Sequence, residues 1–113
     1  MDEAEAAFET GRRIADAEID AGADLLIPGD MGIGNTTPAA ALIALLANLD
    51  AATATGHGTG IDDRAWMRKA AAVRDAMRRG RPHLAEPLRL IATIGGADIA
   101  AMTGFLQIGR AHV

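Results

Sequence analysis

The feature that most constrains this chain is a glycine-rich run, GDMGIGNTT, at residues 29–37. It follows a short apolar run, Leu25 to Ile27, and precedes an Ala- and Leu-rich stretch that extends to Asn48. A short, continuously apolar run is typical of a buried strand in a parallel sheet. Thr37 followed by Pro38 is typical of a helix N-cap and a first helical residue. The pattern therefore predicts a strand, a glycine-rich loop and a helix.

The predicted loop has the chemistry of an anion site. Gly29, Gly32 and Gly34 permit positive φ and a close approach of the backbone to a ligand. Asn35 and Thr36 supply short polar side chains, and the following helix start supplies N–H groups and partial positive charge. The run matches neither the dinucleotide fingerprint nor the Walker motif. From the residues alone, a phosphate site and an ordinary glycine-rich connection are equally good interpretations.

Asp30 is unusual in a loop that binds an anion, because its carboxylate would repel a phosphate. One interpretation is a helix-capping acid, which is the commoner role of a lone Asp at such a place. The other is a carboxylate that meets a cationic or proton-donating part of a ligand. Both interpretations remain open from the residues.

A second glycine-rich run, GHGTG at residues 56–60, follows Ala51 to Thr55, which we interpret as a weak second strand. Gly58, Thr59 and Gly60 offer backbone donors. Lys69 lies in the helix that follows, and its side chain can lean back toward the loop, since side chains in a helix point toward its N-terminus. We expect these groups and the loop at 29–36 to form one anion pocket. The alternative for Lys69 is a solvated surface position.

Further helices are predicted from apolar spacing and from start and stop residues. They span residues 2–21 (ended by Gly22), 62 or 63 to 79, 88–94 and 97–106, with a break at Gly95-Gly96. The one that ends at residue 79 has Trp66, Ala70, Val73 and Met77 along one face. Helices that alternate with short apolar runs predict an α/β class with a parallel sheet. The expected architecture is a fragment of a three-layer αβα, Rossmann-like domain.

Composition narrows the function. The 113 residues carry a net charge of −4, which argues against a nucleic-acid partner. The longest apolar stretch is too short to span a membrane, and the acidic start does not suit a signal peptide; we therefore expect a cytoplasmic protein. The chain has no Cys, and His57 and His83 lack the paired spacing of metal ligands. No metal site is expected.

The stretch GDMGIGNTTPAAALIALL closely resembles the hallmark segment of the phosphoribosyltransferases that act in the lower-ligand branch of cobalamin synthesis. Those enzymes typically read GEMGIGNTT there. GTGID at 58–62, Arg68-Lys69-Ala70, Glu86-Pro87-Leu88 and GGADIAAMTG at 95–104 resemble the family in the same order, the last usually reading GGFEIAALAG. On this resemblance, residues 1–106 are a partial domain of a nicotinate-nucleotide–dimethylbenzimidazole phosphoribosyltransferase, from the interior of the longer family chain.

The resemblance implies transfer of the phosphoribosyl group of nicotinate mononucleotide to 5,6-dimethylbenzimidazole, giving α-ribazole 5′-phosphate and nicotinate. It implies no cofactor; nicotinate bonded to ribose is a pyridinium and already a good leaving group, so no metal is needed. Asp30, where the family commonly has Glu, would be the catalytic carboxylate. The phosphate and substrate contacts would come from residues of the two loops and from one lysine: Gly32, Gly34, Asn35, Thr36, Gly58, Thr59, Gly60 and Lys69.

The resemblance also implies a homodimeric full-length enzyme and a C-terminal general base that lies beyond residue 113. We therefore expect the 113 residues alone to be inactive. Two alternatives remain: an enzyme of the same fold that uses a different azole, and a stand-alone nucleotide-binding module without enzymatic activity.

Residues 107–113, QIGRAHV, depart from the family pattern. The last six residues can be encoded by ATC GGA AGA GCA CAC GTC, which is one frame of a common sequencing adapter beginning AGATCGGAAGAGC. The leading AG completes a Gln codon, and the next adapter codon in that frame is a stop. We therefore expect 107–113 to be a non-native tail, with Ile108 and Val113 outside any core.

Overall fold

The computed structural model describes residues 2–56 and 62–111, and the side chains among them as far as residue 107. These residues form six α-helices: α1 (Asp2–Asp20), α2 (Thr36–Ala47), α3 (Ala51–Ala54), α4 (Asp63–Gly80), α5 (Pro87–Leu90) and α6 (Ala97–Ala111). A 3₁₀ turn, Arg81–His83, follows α4, and a π-helical turn, Ile91–Gly95, follows α5. None of the described helices is both long and apolar enough to cross a membrane.

The predicted parallel sheet, and with it the Rossmann-like fold class, is wrong for this chain. The residues that the structure describes contain no strand, and Leu25 to Ile27 lie in an irregular segment. Leu25 and Ile27 are each 77% exposed. A strand exists only when a neighbour pairs with its N–H and C=O groups. The described part of the chain supplies no such neighbour, so the apolar run stays unpaired.

The predicted second strand, residues 51–55, is also wrong, because these residues form the helical turn α3. Asp50 caps this turn: its Oδ1 accepts the Thr53 N–H at 2.6 Å. The Thr55 hydroxyl donates to the Ala51 carbonyl at 2.5 Å, which closes the turn at its other end. The β-branched Thr53 and Thr55 favoured a strand, but the cap and the alanines around them favour helix.

The predicted helices are confirmed, with adjusted ends. Gly22 ends α1 at φ 103°, with its N–H bonded to Ile19 and that of Ala23 to Glu18, a Schellman arrangement. Asp62 caps α4 by accepting the Ala65 N–H at 2.7 Å. The predicted cap of α2 is wrong, since that helix begins at Thr36 with Asn35 at the cap position, two residues before Thr37.

One core cluster joins α2, α3, α4, α5 and the π-helical turn. Its larger members are all buried: Leu42, Leu45, Val73, Met77, Leu90 and Ile94. The spacing of apolar residues along α4 correctly predicted three of its buried residues, namely Ala70, Val73 and Met77. The indole N–H of Trp66 donates to the Thr55 carbonyl at 2.9 Å and thereby ties α4 to the end of α3.

A second body of contacts joins α1 to α6. Ala4 lies in a cluster with Ile91 and Ala100, and two glycines let the helix backbones meet farther along. A Cβ on Gly11 would collide with the Ala101 carbonyl, and one on Gly104 with the Phe8 carbonyl. The side chains of Ile108 and Val113, predicted to find no core, lie outside the described residues.

Candidate functional site

The glycine-rich loop is an exposed segment directly before α2. Gly32 and Gly34 have φ of 75° and 73°, a backbone conformation that L side chains rarely adopt. The Gly32 N–H donates to Asp30 Oδ1 at 2.8 Å, so the Asp side chain closes a tight turn two residues long. Of the three glycines predicted to permit positive φ, Gly32 and Gly34 therefore adopt it, whereas Gly29 does not.

The Asp30 carboxyl lies among several hydrogen-bonding groups. Its pKa is lowered, mainly because the Gly32 N–H donates to it; hydrogen bonds with the side chains of Asp98 and Asn35 act in the same direction, and desolvation opposes them. Asp30 is therefore ionised at neutral pH. No described N–H of α2 donates to it, so it does not act as the cap of that helix.

The start of α2 lacks a side-chain cap, although the residue at the cap position is suited to the role. Asn35 makes no capping hydrogen bond there; its side chain instead helps to lower the pKa of Asp30. The first N–H groups of a helix have no partner within the helix. Those of Thr36 and Thr37 consequently face the loop side without a side-chain acceptor, which is the arrangement that favours an anion.

The second half of the predicted site is only partly described. Gly58, Thr59 and Gly60 lie outside the described residues. Lys69 lies on α4 and is half-buried, and its ammonium makes no ion pair or hydrogen bond with another described residue. The convergence of Lys69, the second loop and residues 29–36 on one pocket stays a prediction.

Asp98 belongs to the neighbourhood of Asp30, and our interpretation of the sequence did not select it. It lies in the first turn of α6, directly after Gly96 and Ala97, and its Oδ1 accepts the Ile99 N–H at 3.0 Å. Its side chain helps to lower the pKa of Asp30, which puts the start of α6 in the neighbourhood of the loop. The signal that would have found it is the GGADIAA segment, where the family's GGFEIAA places a second acid.

The most spacious cavity described lies elsewhere. It has a volume of about 710 Å³ and is found where α2 ends, lined by Asn48, Leu49, Asp50, Ala51, Arg74, Met77, Arg78 and Arg81. The length of α2, roughly 18 Å for 12 residues, separates it from the loop. Two helix C-termini meet there, so the guanidinium groups offset their partial negative charge. The described residues contain no group of three or more His, Cys, Asp or Glu that could hold a metal ion.

Comparison with known proteins decides the family. A family model described as phosphoribosyltransferase matches residues 1–112. The chain belongs to this phosphoribosyltransferase family. The resemblance drawn from the glycine-rich segments is thereby confirmed.

Members of the phosphoribosyltransferase family with curated names are similar to most of the chain. A nicotinate-nucleotide–dimethylbenzimidazole phosphoribosyltransferase of Streptomyces avermitilis is 60% identical over 107 residues, which are 94% of this chain and 28% of the relative. Relatives of the same name from Mycobacterium ulcerans and Mycobacterium marinum are each 59% identical over 104 residues, 92% of this chain and 29% of theirs. The chain thus spans less than a third of the length of these relatives. No solved structure matches it.

Proposed function

We propose that this chain supplies the nucleotide-phosphate loops of a nicotinate-nucleotide–dimethylbenzimidazole phosphoribosyltransferase. The observation that carries the proposal is the printed name shared by relatives that are 59–60% identical over more than nine tenths of the chain. In the proposed reaction, the bond from the ribose anomeric carbon to the nicotinate nitrogen breaks, and a bond from that carbon to a benzimidazole nitrogen forms. Nicotinate and α-ribazole 5′-phosphate are the products.

The loop at 29–36 fits this reaction in two ways. Its glycines and the uncapped start of α2 present N–H groups suited to the 5′-phosphate or to ribose oxygens. Asp30, ionised at neutral pH, offers a negative charge to the cationic anomeric centre or an acceptor to the azole N–H. In this proposal Gly58, Thr59, Gly60 and Lys69 complete the phosphate contacts, and the enzyme is a cytoplasmic homodimer that acts on small molecules.

The test transplants residues 2–106 into the Streptomyces avermitilis relative in place of its matching segment. The purified chimera is incubated with nicotinate mononucleotide and 5,6-dimethylbenzimidazole, and both products are quantified by chromatography. The proposal expects nicotinate and α-ribazole 5′-phosphate in equal amounts. A folded chimera that binds the nucleotide but releases no nicotinate would favour a binding module. Transfer to other azoles but not to this one would favour the alternative enzyme.

A further inference from the structure

The chain exposes more surface than a folded monomer of its mass. Its accessible surface is 7437 Å², whereas a compact monomer of 11.7 kDa exposes about 5,900 Å². The radius of gyration is 15.5 Å, against about 13 Å for a compact domain of this length. The excess area, about 1,500 Å², exceeds the roughly 800 Å² that one partner buries in a stable protein interface. Part of this surface is therefore large enough to be an interface.

Part of the exposed apolar area lies on one side of α2. Ile43 and Leu46 are 55% and 68% exposed and stand one turn apart, so they share a face, which we call the outer face of α2. Other sides of the helix are buried in the core through Ala40, Ala41, Leu42, Ala44 and Leu45. The helix carries no charged residue, and a helix that is apolar all round is typical of one covered on every side.

The segment before α2 adds a second set of exposed apolar side chains. They are Leu25, Ile27, Met31 and Ile33, each more than three quarters exposed. Single exposed apolar residues are ordinary in a soluble protein, but several in succession indicate a contact surface. The occupant must be apolar, since no charge on the outer face of α2 would select a charged partner.

The lengths of the relatives identify the occupant. This chain matches only 28–29% of the relatives named above, so those proteins carry more than twice as much additional polypeptide on the same chain. Covalent linkage gives such polypeptide a high effective concentration at this surface. We propose that the outer face of α2 and the apolar side chains of residues 25–33 form an intramolecular interface, covered in the long protein by the additional polypeptide that the relatives have. The inference uses family membership and does not depend on the proposed reaction.

The first experiment compares one double substitution in two settings. Ile43→Gln with Leu46→Gln is made in the 113-residue chain and in the chimera described above, and thermal unfolding is followed in both. The proposal expects little change in the Tm of the short chain, where both side chains face solvent, and a decrease of roughly 5 °C or more in the chimera. Met67→Gln is the matched control, because Met67 is 65% exposed on α4 and should be neutral in both.

A second measurement keeps the test decisive if the double variant of the chimera does not fold. The chain contains no Cys, so Leu46→Cys and Met67→Cys can each be labelled with a thiol reagent and located by peptide mass spectrometry. Cys at position 46 should react at least tenfold more slowly in the chimera than in the short chain, and Cys at position 67 equally in both. Equal labelling of position 46 in the two settings overturns the proposal. So does a short chain that sediments as a dimer and is dissociated by the Gln substitutions, because the occupant is then a second copy.

Discussion

Asp30 and Gly32 form the smallest unit of the site. One carboxylate oxygen accepts the N–H two residues later, and the backbone at Gly32 must adopt φ 75° for that N–H to point back. The same bond is the main cause of the lowered pKa of Asp30. The charge of the proposed catalytic carboxylate therefore depends on a glycine that itself carries no functional group.

Gly32→Ala tests this dependence. A Cβ disfavours the left-handed conformation by roughly 1–2 kcal/mol, so the tight turn should open and its hydrogen bond weaken. The pKa of Asp30 should then rise toward its ordinary value, as measured by NMR titration of the side-chain carboxyl carbon. Gly29→Ala is the control: it lies in the same loop, does not have positive φ, and has open space around its Cβ. An unchanged titration in Gly32→Ala would mean that the turn does not set the charge of Asp30.

Acid should destabilise the folded chain partly by protonating Asp50. The Thr53 hydroxyl and then the Thr53 N–H lower the pKa of Asp50 in the folded chain. A folded-state pKa below the unfolded value stabilises the fold at higher pH, and this contribution is lost as pH falls through the folded pKa, below about pH 4. Asp50→Asn keeps a good capping side chain but removes the titration. The free energy of unfolding, measured with urea at pH 6 and at pH 3, should therefore differ less between the two pH values for Asp50→Asn than for the unsubstituted chain.

The control for this prediction is Asp24→Asn. Asp24 is exposed in the segment before α2 and accepts no hydrogen bond from a described side chain or amide. Asp24→Asn should leave the difference between the free energies of unfolding at pH 6 and pH 3 unchanged. If Asp24→Asn and Asp50→Asn changed the pH dependence of stability equally, the hydrogen bonds of Asp50 at the start of α3 would not be the cause.

At the scale of elements, the contact between α1 and α6 depends on the absence of two side chains. Gly11 and Gly104 each lie against a backbone carbonyl of the other helix, and a backbone cannot move aside as a side chain can. Gly80 differs, because a Cβ there would meet methyl groups of Leu45, Leu90 and Ile94 at 2.9 Å. Side-chain tips of this kind can rotate.

Gly11→Ala should change the free energy of unfolding in the direction opposite to the one that helix propensity favours. Replacing Gly by Ala within a helix ordinarily stabilises it by about 1 kcal/mol. Gly11→Ala should instead lower the free energy of unfolding by about 1–3 kcal/mol, because the new methyl group forces α1 away from α6. Gly80→Ala should change it by less than about 1 kcal/mol. Chemical denaturation of the three proteins checks the prediction, and a stabilised Gly11→Ala would show that the two helices do not approach this closely.

The helices were predictable because their signals are local. Asp62, Gly22 and the apolar spacing of α4 act within a few residues of their own position. The absence of a strand at Leu25 to Ile27 could not be predicted in this way, because a strand depends on a distant partner, and the described residues do not supply one. Asp98 was missed for a related reason: almost seventy positions separate it from Asp30, and only the packing of α6 brings the two carboxyls together.

At the scale of the whole molecule, the site is an open surface. Asp30, Gly32 and Gly34 are exposed, whereas a catalytic site that handles a cationic reaction centre works best where water is excluded. The chain spans less than a third of its curated relatives. The walls that would enclose the loop, like the polypeptide proposed to cover α2, are therefore expected from the remainder of a long protein.

Steady-state kinetics of the chimera test whether Asp30 takes part in the proposed reaction. Asp30→Asn keeps the size of the side chain and removes its charge, so kcat should fall by about 100-fold while the KM for nicotinate mononucleotide changes by less than about threefold. Asp24→Asn, in the same segment, should match the unsubstituted chimera in both constants. A kcat for Asp30→Asn that equals the control would mean that Asp30 takes no part in the reaction and has a purely structural role in the turn at Gly32.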